Sequence, residues 1–224
     1  MTSLQDKLDA ITARTRDLVQ ADRLAVSEHA TAELFATGIE DRVLKVGDPA
    51  PFFNLPDATT GKLIASADLL ALGPLVLNFF RGRWCPYCVT ELETWRDLLP
   101  DLRRAGALVV AISPQTERQN SFAAEQHHLT FPLLTDRHAD LAAQFGLTYT
   151  VPPEARAYFR SILVNIPFAN SGASYDRASD AAWRLPLPAT FILRQDGTIA
   201  FAEAHADFRV RPEPQEILDV LRNL

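Results

Sequence analysis

The sequence predicts an α/β fold in which a central mixed sheet is flanked by helices and preceded by an N-terminal helical extension. Two strand-length apolar runs, LVLNFF (75–80) and ALVVAI (107–112), are each followed by a segment of helical periodicity. Continuous apolar runs of this kind are typical of buried parallel strands. Near the C-terminus, two further strand-like segments flank a QDG turn at 195–197, which favours an antiparallel hairpin. Parallel and antiparallel pairs together make the predicted sheet mixed.

The N-terminal residues 1–40 are predicted to form one or two helices. Apolar residues recur at helical spacing from residue 4 to residue 35, and Gly38 is a plausible stop. We assign 1–40 as the extension and 41–224 as the main domain. Two interpretations stay open at this point, because the extension could pack on its own domain or could serve as the arm of a homodimer.

The main domain begins with a segment rich in Gly, Pro and Asp, 46–62, which predicts a hairpin of short strands. The strand 75–80 then leads through the segment CPYC into a helix, whose apolar positions lie on one stripe. Strands and helices continue to alternate up to residue 144, and a final helix is predicted near 214–221. The exception is 148–187, an insertion predicted to be irregular apart from a short helical piece near 155–162; such long insertions are often functional.

Composition narrows the range of functions. Of the 224 residues, 47% are hydrophobic and 22% are charged, which is ordinary for an ordered globular protein. The formal net charge of −6 argues against nucleic acid or an anionic membrane as a partner. No apolar run approaches the length of a membrane span, and the polar N-terminus lacks the features of a secretory signal. The sequence therefore predicts a cytoplasmic protein that acts on a small soluble substrate, and no cofactor is expected.

The chemistry is predicted to lie in the only two cysteines, Cys85 and Cys88. At the junction of a strand and a helix, the first sulfur occupies the helix N-terminus, where the helix dipole stabilises an anion. Cys85 is thus expected to be the thiolate, and Arg81 and Arg83 are close enough in sequence to add positive potential. Cys88, about one helical turn further along, could attack a sulfur adduct on Cys85.

Two alternatives for the cysteines are disfavoured. A structural zinc site normally needs four protein ligands, whereas there is no second cysteine pair and the five histidines show no ligand-pair spacing. No metal is therefore expected. Inert buried cysteines are disfavoured by the neighbouring Trp84 and Pro86 and by the position between strand and helix.

The segment FFRGRWCPYC (79–88) resembles the active site of the thioredoxin superfamily. Four further segments resemble, in the right order, landmarks of the peroxiredoxins of the alkyl hydroperoxide reductase and thiol-specific antioxidant (AhpC/TSA) family: VGDPAPFFNLPD, AISPQT, FPLLTDRHADLAAQFGL and FILRQDGTIAF. The resemblance covers roughly 46–202. It implies a thioredoxin-like fold, a peroxide substrate and a thioredoxin-like reductant. LPLPATFIL (185–193) resembles the segment that carries a cis-proline facing the active cysteine, which maps onto Pro188.

This chain departs from the family's pattern at three positions. The Thr or Ser that usually stands three residues before the reactive cysteine is Gly82, and the proline four residues earlier is Asn78. The family's second active-site arginine would fall on Pro188 itself. The surroundings therefore resemble a peroxiredoxin, whereas the active segment resembles thioredoxin.

Three functional hypotheses follow. In the first, a thiol peroxidase, Cys85 becomes a sulfenic acid that Cys88 captures as a disulfide, with Arg81 or Arg83 supplying positive charge. In the second, the protein is a thioredoxin-like oxidoreductase that acts on disulfide substrates. The third is a redox-sensing binding module that uses the N-terminal helices. Trp84 is assigned either to the wall of a substrate pocket or to the core.

Three acidic residues complete the predicted set. Glu91 and Glu93 on the helix after the cysteines could relay a proton, but a solvated position is favoured for both. Asp136 is predicted to cap the helix that follows it.

Overall fold

The structure is a computed structural model that describes residues 3–224, so the first two residues of the predicted extension lie outside the described part. The strands are β1 (Asn54–Pro56), β2 (Leu63–Ala65), β3 (Leu75–Phe79), β4 (Leu108–Ser113), β5 (Leu133–Thr135), β6 (Thr148–Thr150), β7 (Arg184–Pro186), β8 (Ala189–Leu193) and β9 (Ile199–Ala204). The helices are α1 (Leu4–Leu18), α2 (Ala21–Ala36), α3 (Ser66–Leu70), α4 (Pro86–Arg104), α5 (Glu117–Gln126), α6 (Asp140–Gln144), α7 (Pro153–Ser161), α8 (Ile166–Ser171) and α9 (Pro214–Arg222).

Five strands form a central sheet in the order β5-β4-β3-β8-β9. β3 runs parallel to β4, and β4 runs parallel to β5. β8 pairs antiparallel with both β3 and β9, and the turn at 195–197 joins the last two strands. β1 and β2 form the predicted opening hairpin. The predicted α/β class with a central mixed sheet is therefore confirmed.

β3 lies at the centre of the sheet, and all five of its residues are buried. Because successive side chains of a strand point to opposite faces, Val76 joins one core cluster while Leu77 and Phe79 join another. The first face is covered by α4, whose Leu92 and Trp95 are almost completely buried. Both faces of β3 are therefore covered, which explains why its sequence is apolar at every position except Asn78.

The N-terminal helices pack on the domain of their own chain. Leu4 and Leu8 of α1 enter the core cluster that contains α4. The Glu213 carboxylate accepts hydrogen bonds from the backbone N–H groups of Leu4 and Gln5, at 3.0 and 2.8 Å. Since an acidic group at a helix N-terminus satisfies its free N–H donors, α1 is anchored to the start of α9. This geometry corresponds to the interpretation in which the extension packs on its own domain. The homodimer stays a prediction.

The stretch 148–187 is more regular than its sequence predicts. β6 and β7 pair antiparallel at its two ends, and α7 and α8 lie between them. A small core holds the stretch together, with Val151, Phe159 and Trp183 buried. Each element has at most nine residues, which is too short for a clear periodic signal.

Asp136 caps a helix as predicted, because its carboxylate accepts hydrogen bonds at 2.9 Å from the N–H groups of Leu141 and Ala142 in α6.

None of the helices within residues 3–224 is both long enough and apolar enough to cross a membrane.

Candidate active site

Cys85 lies at the N-terminus of α4, where the chain leaves β3 and turns into the helix. It occupies the N-cap position, and Pro86 follows as the first helical residue. Proline suits that position because its fixed φ is already helical and its missing N–H would have no partner in the helix. The Cys85 N–H donates to the Gly82 carbonyl at 3.0 Å. Its sulfur therefore meets the positive end of a 19-residue helix.

The two sulfurs are close to one another, and their pKa values differ. Cys85 is 2% exposed, and Cys88 is fully buried. Burial opposes the thiolate of Cys85, but the hydrogen bond from Cys88 and the charges of Arg81 and Arg211 outweigh it and lower the pKa of Cys85 to about 6. Burial and the neighbouring Cys85 raise the pKa of Cys88 well above that of a free thiol. At neutral pH, Cys85 is thus the thiolate and Cys88 the thiol.

Arg81 supplies one of the two positive charges beside the cysteines. Its guanidinium is buried against three aromatic rings, at 5.0 Å from Trp84, 5.8 Å from Phe159 and 4.3 Å from Phe208. Burial disfavours the charge, but the neighbouring Tyr149 and cysteines outweigh burial, and the pKa of Arg81 is raised. Aromatic faces attract a desolvated guanidinium, so Arg81 stays charged next to the thiolate.

Arg83 lies elsewhere, contrary to the expectation that it would add to the potential at Cys85. Its side chain is exposed, and its Nε donates to Gln119 Oε1 of α5 at 2.6 Å. The second positive charge comes instead from Arg211, in the loop before α9. Proximity in sequence indicated Arg83 because it is two residues from Cys85, but the chain turns at Arg83 and Trp84, and the Arg83 side chain leaves this turn toward α5.

A buried polar network surrounds Arg211, and this is the main feature that the sequence did not reveal. Arg211 Nε donates to Glu91 Oε2 at 2.6 Å, and Arg211 Nη2 lies 3.6 Å from Cys88 Sγ. Asn78 Nδ2 donates to Glu91 Oε1 at 2.9 Å. Glu91 is fully buried, so the expectation of a solvated Glu91 is wrong. Burial raises the pKa of the Glu91 carboxyl, and the charge of Arg211 offsets part of that effect.

Glu91 escaped sequence reasoning because its partner lies 120 residues away. The available signal was weak, since residue 91 lies one position before the apolar Leu92 and falls on the inner side of the helix. Glu93, by contrast, faces outward and contacts His127 Nδ1 at 2.9 Å.

A cavity of about 220 Å³ gives access to Cys85. Its wall combines α1, α2 and α4 with α7 and the loop after β9; among the lining residues are Leu24, Tyr87, Tyr158, Phe159 and Phe208. A second cavity, of about 230 Å³, meets Arg81 from the side of α2 and β6. The N-terminal helices and the 148–187 insertion therefore cover the active segment.

Trp84 forms part of both the cavity wall and the packing. Its ring lines the cavity beside Cys85 and makes an edge contact with Phe159, with centroids 5.5 Å apart. The half-buried ring therefore lies both in the cavity wall and against the small core of the insertion, and contact with a substrate stays a prediction.

Pro188 lies next to the active segment but does not have the predicted cis geometry. The register of β3 and β8 pairs Phe79 with Ala189. Pro188, the residue before Ala189, therefore lies at the edge of the sheet where the chain leaves β3. No peptide bond within residues 3–224 is cis. The Leu187 N–H donates to the Leu147 carbonyl at 2.8 Å, and the chain runs extended from β7 into β8, which suits the ordinary trans bond.

Alkylation of Cys85 is expected to depend on pH with a midpoint near 6. Because only the thiolate reacts, the rate should be constant well above the pKa of about 6 and should fall about tenfold per pH unit below it. The measurement is the rate of modification by iodoacetamide, with mass spectrometry to identify the labelled residue. A midpoint near that of a free thiol, about 8.5, would contradict the arrangement of charges described above.

Restoring the family's hydroxyl by Gly82→Thr is expected to damage the site. Gly82 has a φ of +153°, and a Cβ there would collide with Trp84 Nε1 and lie 2.9 Å from Gln115 Oε1. Strain and overpacking together should cost about 2–4 kcal/mol and slow the reactions of Cys85. Chemical denaturation and alkylation rates measure the two effects.

Gly172→Ala is the matched control for Gly82→Thr, because Gly172 also has a positive φ, +75°, but has open space around its missing side chain. Its cost should be limited to backbone strain, about 1 kcal/mol. A Gly82→Thr protein as stable as this control, with undiminished reactivity, would contradict the expected clash.

Within residues 3–224, the structure contains no group of three or more His, Cys, Asp or Glu side chains placed to hold a metal ion. The site that the structure does contain consists of a thiolate, a thiol and two buried guanidiniums.

Comparison with known proteins adds a family match to this geometry. The model of the AhpC/TSA family matches residues 46–202. A Mycobacterium tuberculosis protein named as a peroxiredoxin is 36% identical over 104 residues, which are 46% of this chain and 67% of that protein. Peroxiredoxin Bcp of Escherichia coli K12 is 35% identical over 104 residues, 46% of this chain and 65% of Bcp. The matching part covers about two thirds of either relative.

Solved structures agree with this match. The crystal structure of peroxidoxin BcpB from Mycobacterium tuberculosis has a TM-score of 0.60 and 25% identity, covering 81% of this chain and 98% of that one. Peroxiredoxin Q of Xanthomonas campestris has a TM-score of 0.55 and 19% identity, and the match covers 82% of this chain and 98% of that one. This second likeness concerns the fold alone.

Proposed function

This chain belongs to the AhpC/TSA family and is an oxidoreductase of the peroxiredoxin kind, and we propose that it reduces peroxides with Cys85 as the attacking thiolate. One observation carries the proposal. The pKa of Cys85 is lowered to about 6 on a sulfur that lines a cavity, so a reactive thiolate and a route to it coincide. Thiolate character and access are the two conditions for selective oxidation of a cysteine.

In the first step, the Cys85 thiolate attacks the terminal oxygen of a hydroperoxide. A sulfur–oxygen bond forms, the oxygen–oxygen bond breaks, and the alkoxide or hydroxide that leaves takes a proton from water. Cys85 is oxidised to a sulfenic acid, and the peroxide is reduced to an alcohol or water. Positive charge beside the breaking bond stabilises the charge that develops on the leaving oxygen. Arg81, buried beside the cavity, takes the place of the family's missing Thr and second Arg.

In the second step, the Cys88 sulfur attacks the Cys85 sulfenic acid. A disulfide forms, and the leaving hydroxide combines with the Cys88 proton to give water. A thioredoxin-like dithiol then reduces the disulfide by exchange and is itself oxidised to a disulfide. The thioredoxin-like reductant, the cytoplasmic location and the homodimer stay predictions from the sequence.

A thioredoxin-like oxidoreductase is the second candidate, because one observation favours it. The two cysteines of CPYC have strongly separated pKa values, which is the arrangement that thiol–disulfide exchange also needs. In this alternative, Cys85 attacks a disulfide substrate, and Cys88 releases the mixed disulfide. The two functions differ in the electrophile that Cys85 attacks.

Stopped-flow oxidation of the reduced protein distinguishes the two functions. Hydrogen peroxide and cumene hydroperoxide are each mixed with the protein, and tryptophan fluorescence is followed, since Trp84 lies beside Cys85 in the cavity wall. We expect oxidation at least about a hundredfold faster than that of a free thiolate, the size of effect that one oriented donor typically provides. Oxidation at the free-thiol rate, together with efficient reduction of a disulfide substrate, would overturn the peroxidase and leave the oxidoreductase.

A further inference from the structure

Arg211 is placed to act on the second cysteine, whereas the proposed function so far assigns a charge only to the first. Its Nη2 lies 3.6 Å from Cys88 Sγ, and both side chains are buried. The remaining donors are already used, because Nε binds Glu91 and Nη1 donates to the carbonyls of Phe208 and Val210, each at 2.6 Å. The guanidinium is therefore held in one orientation, with its free edge against the sulfur.

A contribution to the free energy of folding is a weak explanation for a buried ion pair of this kind. Desolvating two charges costs about as much as their attraction returns, and apolar residues of similar volume often serve equally well. Glu91 also accepts from Asn78, at 2.9 Å, so the carboxylate is supported from β3 as well as from Arg211. The network fixes the position of one cation beneath Cys88.

The two cysteines differ in access, and this difference determines which sulfur leaves. Cys85 lines the cavity, whereas Cys88 does not and is fully buried. A thiol reductant that enters the cavity therefore attacks Cys85, and Cys88 is expelled as a thiolate. Burial disfavours a thiolate at Cys88, and a thiolate that is not stabilised is a poor leaving group. Exchange at this disulfide therefore needs a group that stabilises charge on Cys88.

We propose that Arg211, held by Glu91 and by the Phe208 and Val210 carbonyls, is a catalytic residue that stabilises negative charge on the Cys88 sulfur whenever this sulfur attacks or leaves. The inference rests on the Cys85–Cys88 disulfide of the proposed function. In disulfide formation, Cys88 carries the developing charge as its proton passes to the departing hydroxide. In reduction, the incoming thiolate bonds to Cys85 while the sulfur–sulfur bond breaks, and its electron pair goes to Cys88, which then takes a proton from water. Arg211 contacts the same sulfur in both directions.

The test uses Arg211→Met, Arg211→Lys and the double variant Arg211→Met with Glu91→Met. The double variant replaces both charges by apolar side chains of similar size, so that the protein folds without an unpaired carboxylate. Asp136→Asn is the matched control, since it neutralises a different buried carboxylate, one whose hydrogen bonds go to α6. Each protein is studied at a pH where the thiolate absorbance shows that Cys85 is ionised.

Two readouts isolate the step at Cys88. Single-turnover mixing with peroxide separates oxidation of Cys85 from the later loss of the Cys88 thiol, and dithiothreitol then reduces the isolated disulfide. In Arg211→Met and in the double variant, we expect both disulfide formation and reduction to slow by about tenfold or more. Arg211→Lys should recover part of each rate, and Asp136→Asn should match the wild type.

Wild-type rates of disulfide formation and reduction in the folded double variant would overturn the role of Arg211. Failure of the proposed function is distinguishable from this result. If peroxide does not oxidise Cys85 in the wild type, the disulfide can still be formed with oxidised dithiothreitol, and its reduction still measures the step at Cys88.

Discussion

Replacement of Cys85 by serine is expected to abolish the reaction with peroxides, with a loss of more than about a thousandfold. The buried positive charges that hold Cys85 as a thiolate cannot ionise a serine hydroxyl at neutral pH, and an alkoxide oxygen cannot be oxidised as sulfur can. Stopped-flow mixing of Cys85→Ser with hydrogen peroxide and cumene hydroperoxide measures the effect. Thermal unfolding of the same sample shows that the loss is not one of folding.

The free Cys88 in this variant provides an internal control. Cys88 is fully buried, and its pKa is raised, so it should stay reduced during the exposure to peroxide. Mass spectrometry should therefore find no added oxygen. Rapid oxidation of Cys85→Ser at Cys88 would reverse the roles assigned to the two cysteines.

Replacement of Cys88 by serine is expected to preserve the first oxidation and to eliminate catalytic turnover. The Cys85 thiolate still meets Arg81 and the helix N-terminus, so one equivalent of peroxide should be consumed at a rate within about tenfold of the wild type. The sulfenic acid then has no neighbouring thiol and should accumulate, or proceed to the sulfinic acid at higher peroxide. A dimedone adduct on Cys85, identified by mass spectrometry, measures the trapped species.

Turnover with a protein dithiol as reductant is the second measurement on Cys88→Ser. The wild type should cycle, and the variant should stop after one equivalent. Sustained turnover at the wild-type rate would mean that the reductant attacks the sulfenic acid directly and that Cys88 has no resolving role. Serine is the matched substitution, because it keeps the size of the side chain and a hydroxyl donor beside Cys85.

The central sheet could be predicted because its signals are local. The run 75–80 is apolar at nearly every position, and only a strand covered on both faces requires that pattern. The turn at 195–197 joins neighbouring segments, so its antiparallel pairing followed from turn residues alone. The same holds for Cys85, because the end of β3 and the start of α4 are adjacent in the chain and the helix N-terminus is present wherever α4 forms.

The insertion and Pro188 show where local signals are insufficient. The elements between 148 and 187 are short, and they are stabilised by packing of side chains such as Val151 and Trp183 on one another, which no periodicity reports. The cis bond at Pro188 was inferred from resemblance, and the backbone in this chain is instead trans. The regular elements of the insertion depend on contacts between segments rather than on the residues of any one segment.

By itself, the sequence determined the sheet and the helix whose N-terminus Cys85 occupies, because each depends on residues within a few positions of one another. Only the tertiary structure decided which charges reach the sulfurs. Arg83, two residues from Cys85, turns to α5, while Arg211 enters from the far end of the chain and pairs with the buried Glu91. The physical reason is that Coulomb interactions depend on distance in space and on burial, and neither is a property of sequence separation.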